Sequence, residues 1–141
     1  MFKVLAALIV IVALVVGILP QFTDCQSQGR PPLALANGKT TPMKCHWTAQ
    51  AALGMAFPLL GLGSVTAFTK RKESRRIVAV LGTLLGAVVI LLPTRLIGVC
   101  ASTDMVCNSV MKPALIFSGI LVIGLSVVSL VISERQPEQI A

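Results

Sequence analysis

Charged side chains are scarce in this chain, and acidic side chains are the scarcest of them. Only 5 of the 141 residues are Asp or Glu, and all charged residues together make up 12% of the sequence, where a soluble domain carries about 25%. Apolar side chains make up 55%, and the mean hydropathy is +0.90. A chain with so few charges cannot build a surface that faces water, so we expect most of its surface to face lipid.

Ionisable residues are missing from four long apolar runs. The runs are residues 4–19, 49–68, 77–92 and 114–132. A helix of about 20 residues crosses the hydrocarbon of a bilayer, and a segment in lipid must satisfy its own backbone hydrogen bonds. The sequence therefore predicts an all-α, polytopic membrane protein with four transmembrane helices. Because proton relays and ion paths use ionisable residues inside the membrane, their absence argues against a proton-coupled pump or an ion channel acting alone.

Motifs typical of membrane enzymes are also missing. The chain has no nucleotide-binding motif and no haem-attachment motif. Membrane thiol oxidants use a Cys-x-x-Cys pair, whose spacing lowers the pKa of one thiol. Here 19 residues separate Cys25 from Cys45, and 6 separate Cys100 from Cys107. We therefore expect a protein that is not an enzyme.

Basic residues are concentrated in one short connection. Residues 70–76, KRKESRR, hold five Lys or Arg and one Glu. Short loops rich in Lys and Arg stay in the cytoplasm. We therefore expect this loop and both chain termini to be cytoplasmic, and the loops at residues 20–47 and 93–112 to face outward. The net charge of +7 is then explained by basic residues that fix the orientation in the membrane and contact anionic lipid headgroups. No nucleic-acid partner is expected.

The two halves of the chain share a pattern of residues. The matching positions are Pro20 and Pro93, Cys25 and Cys100, and Met43-Lys44-Cys45 and Met105-Val106-Cys107. We predict one four-helix domain over residues 1–141, made of two pseudo-repeated hairpins at residues 1–69 and 77–133. Each proline is expected to end the first helix of its hairpin, because it lacks a backbone donor. Hairpins inserted the same way up are related by an axis along the membrane normal.

All four cysteines lie in the loops that are expected to face outward. Disulfides persist outside the cytoplasm, and four cysteines allow three pairings. The repeat favours pairing within each hairpin, Cys25 with Cys45 and Cys100 with Cys107, which would stabilise each loop by about 2–4 kcal/mol. Pairing of Cys45 with Cys107 is the alternative.

Three neighbouring residues form a candidate metal site. Met43, Cys45 and His46 offer a thioether, a thiolate and an imidazole, a ligand set that suits copper(I) or a borderline metal. Further ligands from the second hairpin would be Met105, Cys107 and Met111. Oxidised cysteines could not serve as thiolate ligands. The competing interpretation places His46 and Trp47 at the lipid interface, where amphipathic rings anchor the start of a helix.

Residues 43–52, MKCHWTAQAA, together with Cys107-Asn108 and Met111-Lys112-Pro113-Ala114, resemble a family of small prokaryotic membrane proteins. The members have four spans and no established function, and the resemblance covers essentially the whole chain. It implies a multi-pass protein of the prokaryotic plasma membrane. It also implies an association with ABC transporters of the macrolide-exporter type.

Two functional hypotheses follow from these features. The first is a non-enzymatic accessory or scaffold subunit of an ABC-type transporter complex, without a cofactor, with disulfide-stapled outer loops. Its partner-binding residues would be Lys44, His46, Trp47 and Lys112. The second is an extracytoplasmic redox or metal-handling membrane protein that uses Met43, Cys45 and His46, with copper as the metal.

Overall fold

The computed structural model describes residues 2–69, 71–102 and 104–135. Its long helices are α1 (Phe2–Thr23), α2 (Lys44–Phe68), α3 (Lys72–Leu91) and α4 (Lys112–Arg135). All four are long and apolar enough to cross a membrane, which confirms the predicted all-α class and the multi-pass architecture. Lys70 of the predicted basic loop lies outside the described residues, as do Met1 and residues 136–141 at the termini.

Pro20 does not end α1, so this part of the prediction was wrong, whereas α3 ends at Leu91, two residues before Pro93. Helix α1 continues past Pro20 to Thr23, whose Oγ1 donates a hydrogen bond to the carbonyl of Leu19 at 3.0 Å. A proline removes only its own backbone donor, and the amides of the residues that follow it can still continue the helix. At Pro93, α3 passes into a π-helical turn, Leu92–Leu96. The wider turn lets the amide of Ile97 reach the Leu92 carbonyl at 3.2 Å.

Two helices begin earlier than the apolar runs suggested. Helix α2 starts at Lys44 rather than near residue 49, so Cys45 and Trp47 belong to its first turn. The predicted basic loop is largely the first turn of α3, which starts at Lys72. Arg76 Nη2 lies 2.9 Å from Glu134 Oε1, so the start of α3 meets the end of α4. We call this end of the bundle the basic end.

The helices pack as two close antiparallel pairs, α1 with α2 and α3 with α4. Small residues permit the close approach that membrane helices use. A Cβ on Gly63 of α2 would lie 2.7 Å from Val10 Cγ2 of α1, and a Cβ on Gly86 of α3 would lie 3.0 Å from the carbonyl of Gly119 on α4. Large apolar side chains such as Phe117 point outward, as expected for a surface in contact with lipid.

The opposite end of the bundle is where α1 and α3 end and α2 and α4 begin. A small antiparallel hairpin lies in the α1–α2 connection, with Leu33–Ala34 (β1) paired to Thr40–Thr41 (β2). A second π-helical turn, Cys107–Met111, leads into α4. Single π-helical turns are frequent at functional sites. We call this the cysteine end, because the sulfur-bearing residues of both hairpins meet there.

Candidate metal centre

All four cysteines converge on one point at the cysteine end. Cys25 follows α1, Cys45 is in the first turn of α2, Cys100 lies between the two π-helical turns, and Cys107 opens the second of these turns. Their four Sγ atoms lie within 4.8 Å of one another. We call this group the four-thiol cluster. The sequence favoured two separate pairs, one in each hairpin, with a Cys45–Cys107 pair as the alternative, and did not predict that all four thiols share one site.

The sulfur atoms are not arranged as two isolated pairs. Cys45 Sγ lies 2.8 Å from Cys25 Sγ and also 2.8 Å from Cys100 Sγ. Cys25 Sγ lies 3.4 Å from Cys107 Sγ and 3.9 Å from Cys100 Sγ. All four are free thiols in this structure. Pairing within each hairpin stays a prediction.

The cluster is shielded from solvent to different degrees. Cys45 is 0% exposed, Cys25 and Cys107 are also buried, and Cys100 is half-buried. Burial, followed by hydrogen bonds with Cys45 and Cys107, raises the pKa of the Cys25 thiol. Burial and the Cys45 thiol likewise raise the pKa of Cys100. Both shifts favour the protonated thiol, whereas a bound cation favours the thiolate, as metal ions do.

One thioether sulfur contacts the thiols directly. Met105 Sδ lies 4.0 Å from Cys25 Sγ. Met111 is fully buried in the same core, and Met43 packs against it from the α2 side. The structure thus brings together Met43 and Cys45 of the first hairpin with the three sulfur residues proposed from the second.

His46 contacts the carboxylate of Asp24, a residue that was not predicted from the sequence. Its Nδ1 lies 3.0 Å from Oδ2 of the buried Asp24. The amide of Ser27 donates to Asp24 Oδ1 at 2.6 Å. Burial by itself would raise the pKa of Asp24, but the hydrogen bonds from His46 and Ser27 outweigh it, and the pKa is lowered. A signal was present in the sequence, since Asp24 adjoins Cys25 and His46 adjoins Cys45.

A second missed residue fixes the segment that carries Cys100. Thr48 of α2 is fully buried, and its Oγ1 donates to the carbonyl of Gly98 at 2.7 Å. Gly98 has a φ of +80°, a left-handed conformation that glycine adopts without steric cost. This bond holds Cys100 beside Cys45, although the two lie far apart in the sequence.

A small cavity gives access to one side of the cluster. Its volume is about 40 Å³, enough for a water molecule or a single ion. The residues that line it are Thr23, Cys25, Gln28, Arg30, Asp104, Met105, Val106 and Cys107. Arg30 supplies a positive charge on the wall next to two of the four thiols.

The four residues predicted to bind a partner differ in how far they are exposed to solvent. Trp47 is 57% exposed, and Lys44 is exposed beside it on α2. The Trp47 ring meets the His46 ring edge to face, with centroids 6.1 Å apart. His46 is half-buried and engaged by Asp24, and Lys112 is half-buried at the start of α4.

One known family matches this chain. The sequence profile described as "Domain of unknown function (DUF4418)" covers residues 3–132. The chain belongs to the DUF4418 family. The match agrees with the resemblance noted in the sequence, which pointed to an uncharacterised family. No curated protein and no solved structure matches this DUF4418 chain.

Proposed function

We propose that this DUF4418 protein is a membrane-resident binding protein for a soft metal ion of the copper(I) class. Its ligands are the thiolates of Cys25, Cys45, Cys100 and Cys107. The observation that carries the proposal is the convergence of all four Sγ atoms within 4.8 Å, mostly shielded from solvent. The role is binding, and no catalytic group is assigned.

The spacing of the sulfurs supports the proposal. In a tetrahedral thiolate site the metal–sulfur bonds are about 2.3 Å, which puts the sulfurs about 3.8 Å apart. The measured separations run from 2.8 to 3.9 Å for the contacting pairs, with all four within 4.8 Å. Small side-chain rotations would bring the four atoms to equal distances around one ion.

The surroundings favour a soft ion. Thiolates and thioethers select copper(I), zinc and iron–sulfur clusters, whereas carboxylates and water suit harder ions. Met105 contacts the cluster directly, and Met43 and Met111 belong to the same hydrophobic core of the bundle as the buried cysteines. The nearby carboxylate of Asp24 is engaged by His46 and Ser27. Arg30, on the cavity wall, partly balances the negative charge of the thiolates.

We further propose the orientation of the bundle. The cysteine end faces outward across a prokaryotic plasma membrane, and the basic end is cytoplasmic with both chain termini. Arg71, Lys72 and Arg76 at the basic end support this orientation, because dense positive charge next to a span resists translocation. A metal ion would then be bound at the outer surface of the membrane.

The experiment is metal binding by the purified full-length protein. Protein reduced in detergent is titrated with copper(I) without oxygen, and with zinc(II) in parallel, and bound metal is counted by mass spectrometry of the elements. We expect one ion per chain and a thiolate-to-copper absorption band. Cys45→Ser removes the central sulfur and should reduce bound metal to less than about a tenth, because each lost thiolate weakens the site steeply.

Gln50→Ala is the matched control. Gln50 is exposed on the same helix, five positions beyond Cys45, and its loss should leave the stoichiometry unchanged. Equal metal binding by wild type and Cys45→Ser would contradict the proposal. The proposal would also be contradicted if protein isolated from membranes had four oxidised cysteines and no metal. That result would favour disulfide-stapled loops.

A second candidate function is favoured by one observation, the exposure of Trp47. An accessory or scaffold subunit of an ABC-type transporter needs a recognition surface at the cysteine end. Trp is enriched among residues that dominate protein interfaces, and Trp47 is 57% exposed next to Lys44. Any ATP hydrolysis would come from the partner, since this chain has no nucleotide-binding motif.

A further inference from the structure

The four sulfurs form an ordered chain as well as a cluster. Along it, Cys100 Sγ is 2.8 Å from Cys45 Sγ, Cys45 Sγ is 2.8 Å from Cys25 Sγ, and Cys25 Sγ is 3.4 Å from Cys107 Sγ. Cys45 is therefore placed to bond with either of two neighbours. We propose that the metal-free cluster is a thiol–disulfide relay, in which an external disulfide reacts at Cys100 and the new disulfide passes through Cys45 to Cys25.

The cysteines differ in solvent exposure, and this difference determines which thiol an external disulfide reaches first. Cys100 is half-buried, whereas Cys45 is 0% exposed and Cys25 is buried. A disulfide-bearing molecule from solvent can therefore reach Cys100 before it reaches the other two. Cys100 does not line the small cavity at Cys25 and Cys107, so the entry point for a disulfide is distinct from the opening next to those thiols.

The exchange balances without any further oxidant. The Cys100 thiolate attacks one sulfur of an external disulfide, which forms a mixed disulfide and releases one thiol that takes up the proton from Cys100. Cys45 then attacks the Cys100 sulfur and releases the second external thiol with its own proton. Two electrons have passed from Cys45 and Cys100 to the external disulfide, which is now two thiols.

The next step is an internal isomerisation. Cys25 attacks the Cys45 sulfur, the Cys25–Cys45 bond forms, and Cys100 leaves as a thiol with the proton that Cys25 gave up. No electrons enter or leave the protein in this step. The freed Cys100 can react again, and a second external disulfide would oxidise Cys100 with Cys107. The fully oxidised state would then have the pairing within each hairpin that the sequence predicted.

Thr48 is a positioning residue for this relay. Its hydrogen bond to the Gly98 carbonyl holds the Cys100 segment against α2, one helical turn from Cys45. Thiol–disulfide exchange requires the attacking sulfur to reach the sulfur it attacks. Loosening this bond would therefore slow the step from the mixed disulfide to the Cys45–Cys100 bond, without preventing the first attack at Cys100.

The test follows the order in which disulfides appear. Reduced, metal-free, full-length protein in detergent is mixed with one equivalent of oxidised glutathione at mildly alkaline pH. Samples are quenched with acid and an alkylating reagent, and the bonds are mapped by peptide mass spectrometry. We expect glutathione on Cys100 first, then Cys45–Cys100, then Cys25–Cys45.

Two variants separate the steps. Cys45→Ser should accumulate glutathione on Cys100, and Cys100→Ser should slow total oxidation by about tenfold or more, because the remaining thiols are buried. Ser102→Ala is the control, since Ser102 is exposed two residues beyond Cys100. Helical circular dichroism reports whether each variant is folded, and the wild-type time course decides the order independently of any variant.

Three outcomes would overturn the relay. The first is initial attachment of glutathione at Cys25 or Cys107, and the second is a Cys45–Cys107 bond as the main product. The third is persistence of four free thiols after prolonged exposure to oxidised glutathione. The relay operates without metal, so the two proposals can fail separately. Protein that binds copper(I) but does not form disulfides in the expected order would reject the relay and leave the proposed metal site standing. Protein that forms them in that order but binds no copper(I) would reject the metal site and leave the relay standing.

Discussion

His46 Nδ1 lies 3.0 Å from Asp24 Oδ2, and this contact ties the first turn of α2 to the residue that follows α1. Asp24 immediately precedes Cys25, and His46 immediately follows Cys45. A single partly buried polar contact therefore links the two segments that carry Cys25 and Cys45. Hydrogen bonds of this kind orient the residues around a metal site without ligating the ion.

Asp24→Asn should destabilise the protein at neutral pH by about 1–3 kcal/mol, since a charged, buried hydrogen-bond acceptor is lost. The pKa of Asp24 is lowered in the fold. Its contribution is therefore fully present above its ordinary pKa of 3.8 and is lost as the pH falls through the lower, folded value. The difference in melting temperature between wild type and variant, measured in detergent, should narrow only at acidic pH.

Asp104→Asn is the control for this prediction. Asp104 is an exposed carboxylate at the same end of the bundle, so its loss should change the melting temperature little at any pH. A difference between wild type and Asp24→Asn that stays constant down to strongly acidic pH would show that the carboxylate charge contributes nothing.

Thr48→Val should loosen the Cys100 segment while keeping the volume of the side chain. The lost bond to the Gly98 carbonyl corresponds to about 1 kcal/mol, which is about a fivefold change in a local opening equilibrium. Cys100 should react about that much faster with a maleimide, as measured by peptide mass spectrometry, while Cys45 stays slow. Thr48→Ser keeps the hydroxyl and should behave as wild type; faster labelling in both variants would point to lost packing instead.

Gly119→Ala should weaken the contact between α3 and α4. A Cβ at this position would lie 2.8 Å from the carbonyl of Gly86 and 2.5 Å from Ile90 Cγ1, so the helices must separate. Overpacking of this kind costs about 1–3 kcal/mol, measured as loss of helical circular dichroism on heating. Gly124→Ala on the same helix is the control, since a Cβ there would have no atom of another described helix within 4 Å, and equal effects of the two variants would refute the packing argument.

Trp47→Ala should weaken recovery of a membrane partner in mild detergent. Loss of an interface Trp costs about 2 kcal/mol or more, while expression and the four-helix fold should change little because the ring is exposed. Partner recovery is measured by quantitative mass spectrometry of purified complexes. His46→Ala should do less. If His46→Ala abolishes recovery and Trp47→Ala does not, the accessory-subunit candidate fails.

Labelling from outside intact cells should distinguish the two ends of the bundle. A cysteine introduced as Lys39→Cys or Ser102→Cys should react with an impermeant maleimide, whereas Ser74→Cys in the first turn of α3 should not, because the surrounding basic residues stay in the cytoplasm. The native cysteines are largely buried and set a low background. Labelling at Ser74→Cys in intact cells would reverse the proposed orientation.

Local composition was sufficient to determine the helices of this protein. Apolar runs of about 20 residues without ionisable side chains form helices in lipid, because a helix satisfies every backbone hydrogen bond within its own segment. The exact ends were less predictable. The runs marked the lipid-facing core of each helix, whereas the helices extend into polar residues such as Lys44 and Lys72, where backbone hydrogen bonds continue outside the hydrocarbon.

The sequence by itself also determined that all four cysteines lie at one end, because four spans place alternate connections on the same side. Only the tertiary structure decided that they form one cluster. Cys45 and Cys100 are 55 residues apart, and Cys25 and Cys107 are 82 apart. Their contact depends on how the two hairpins pack, and so does the bond from Thr48 to Gly98. Such contacts carry no signal in the spacing of residues along either hairpin, since they arise only when the helices of both hairpins share one core.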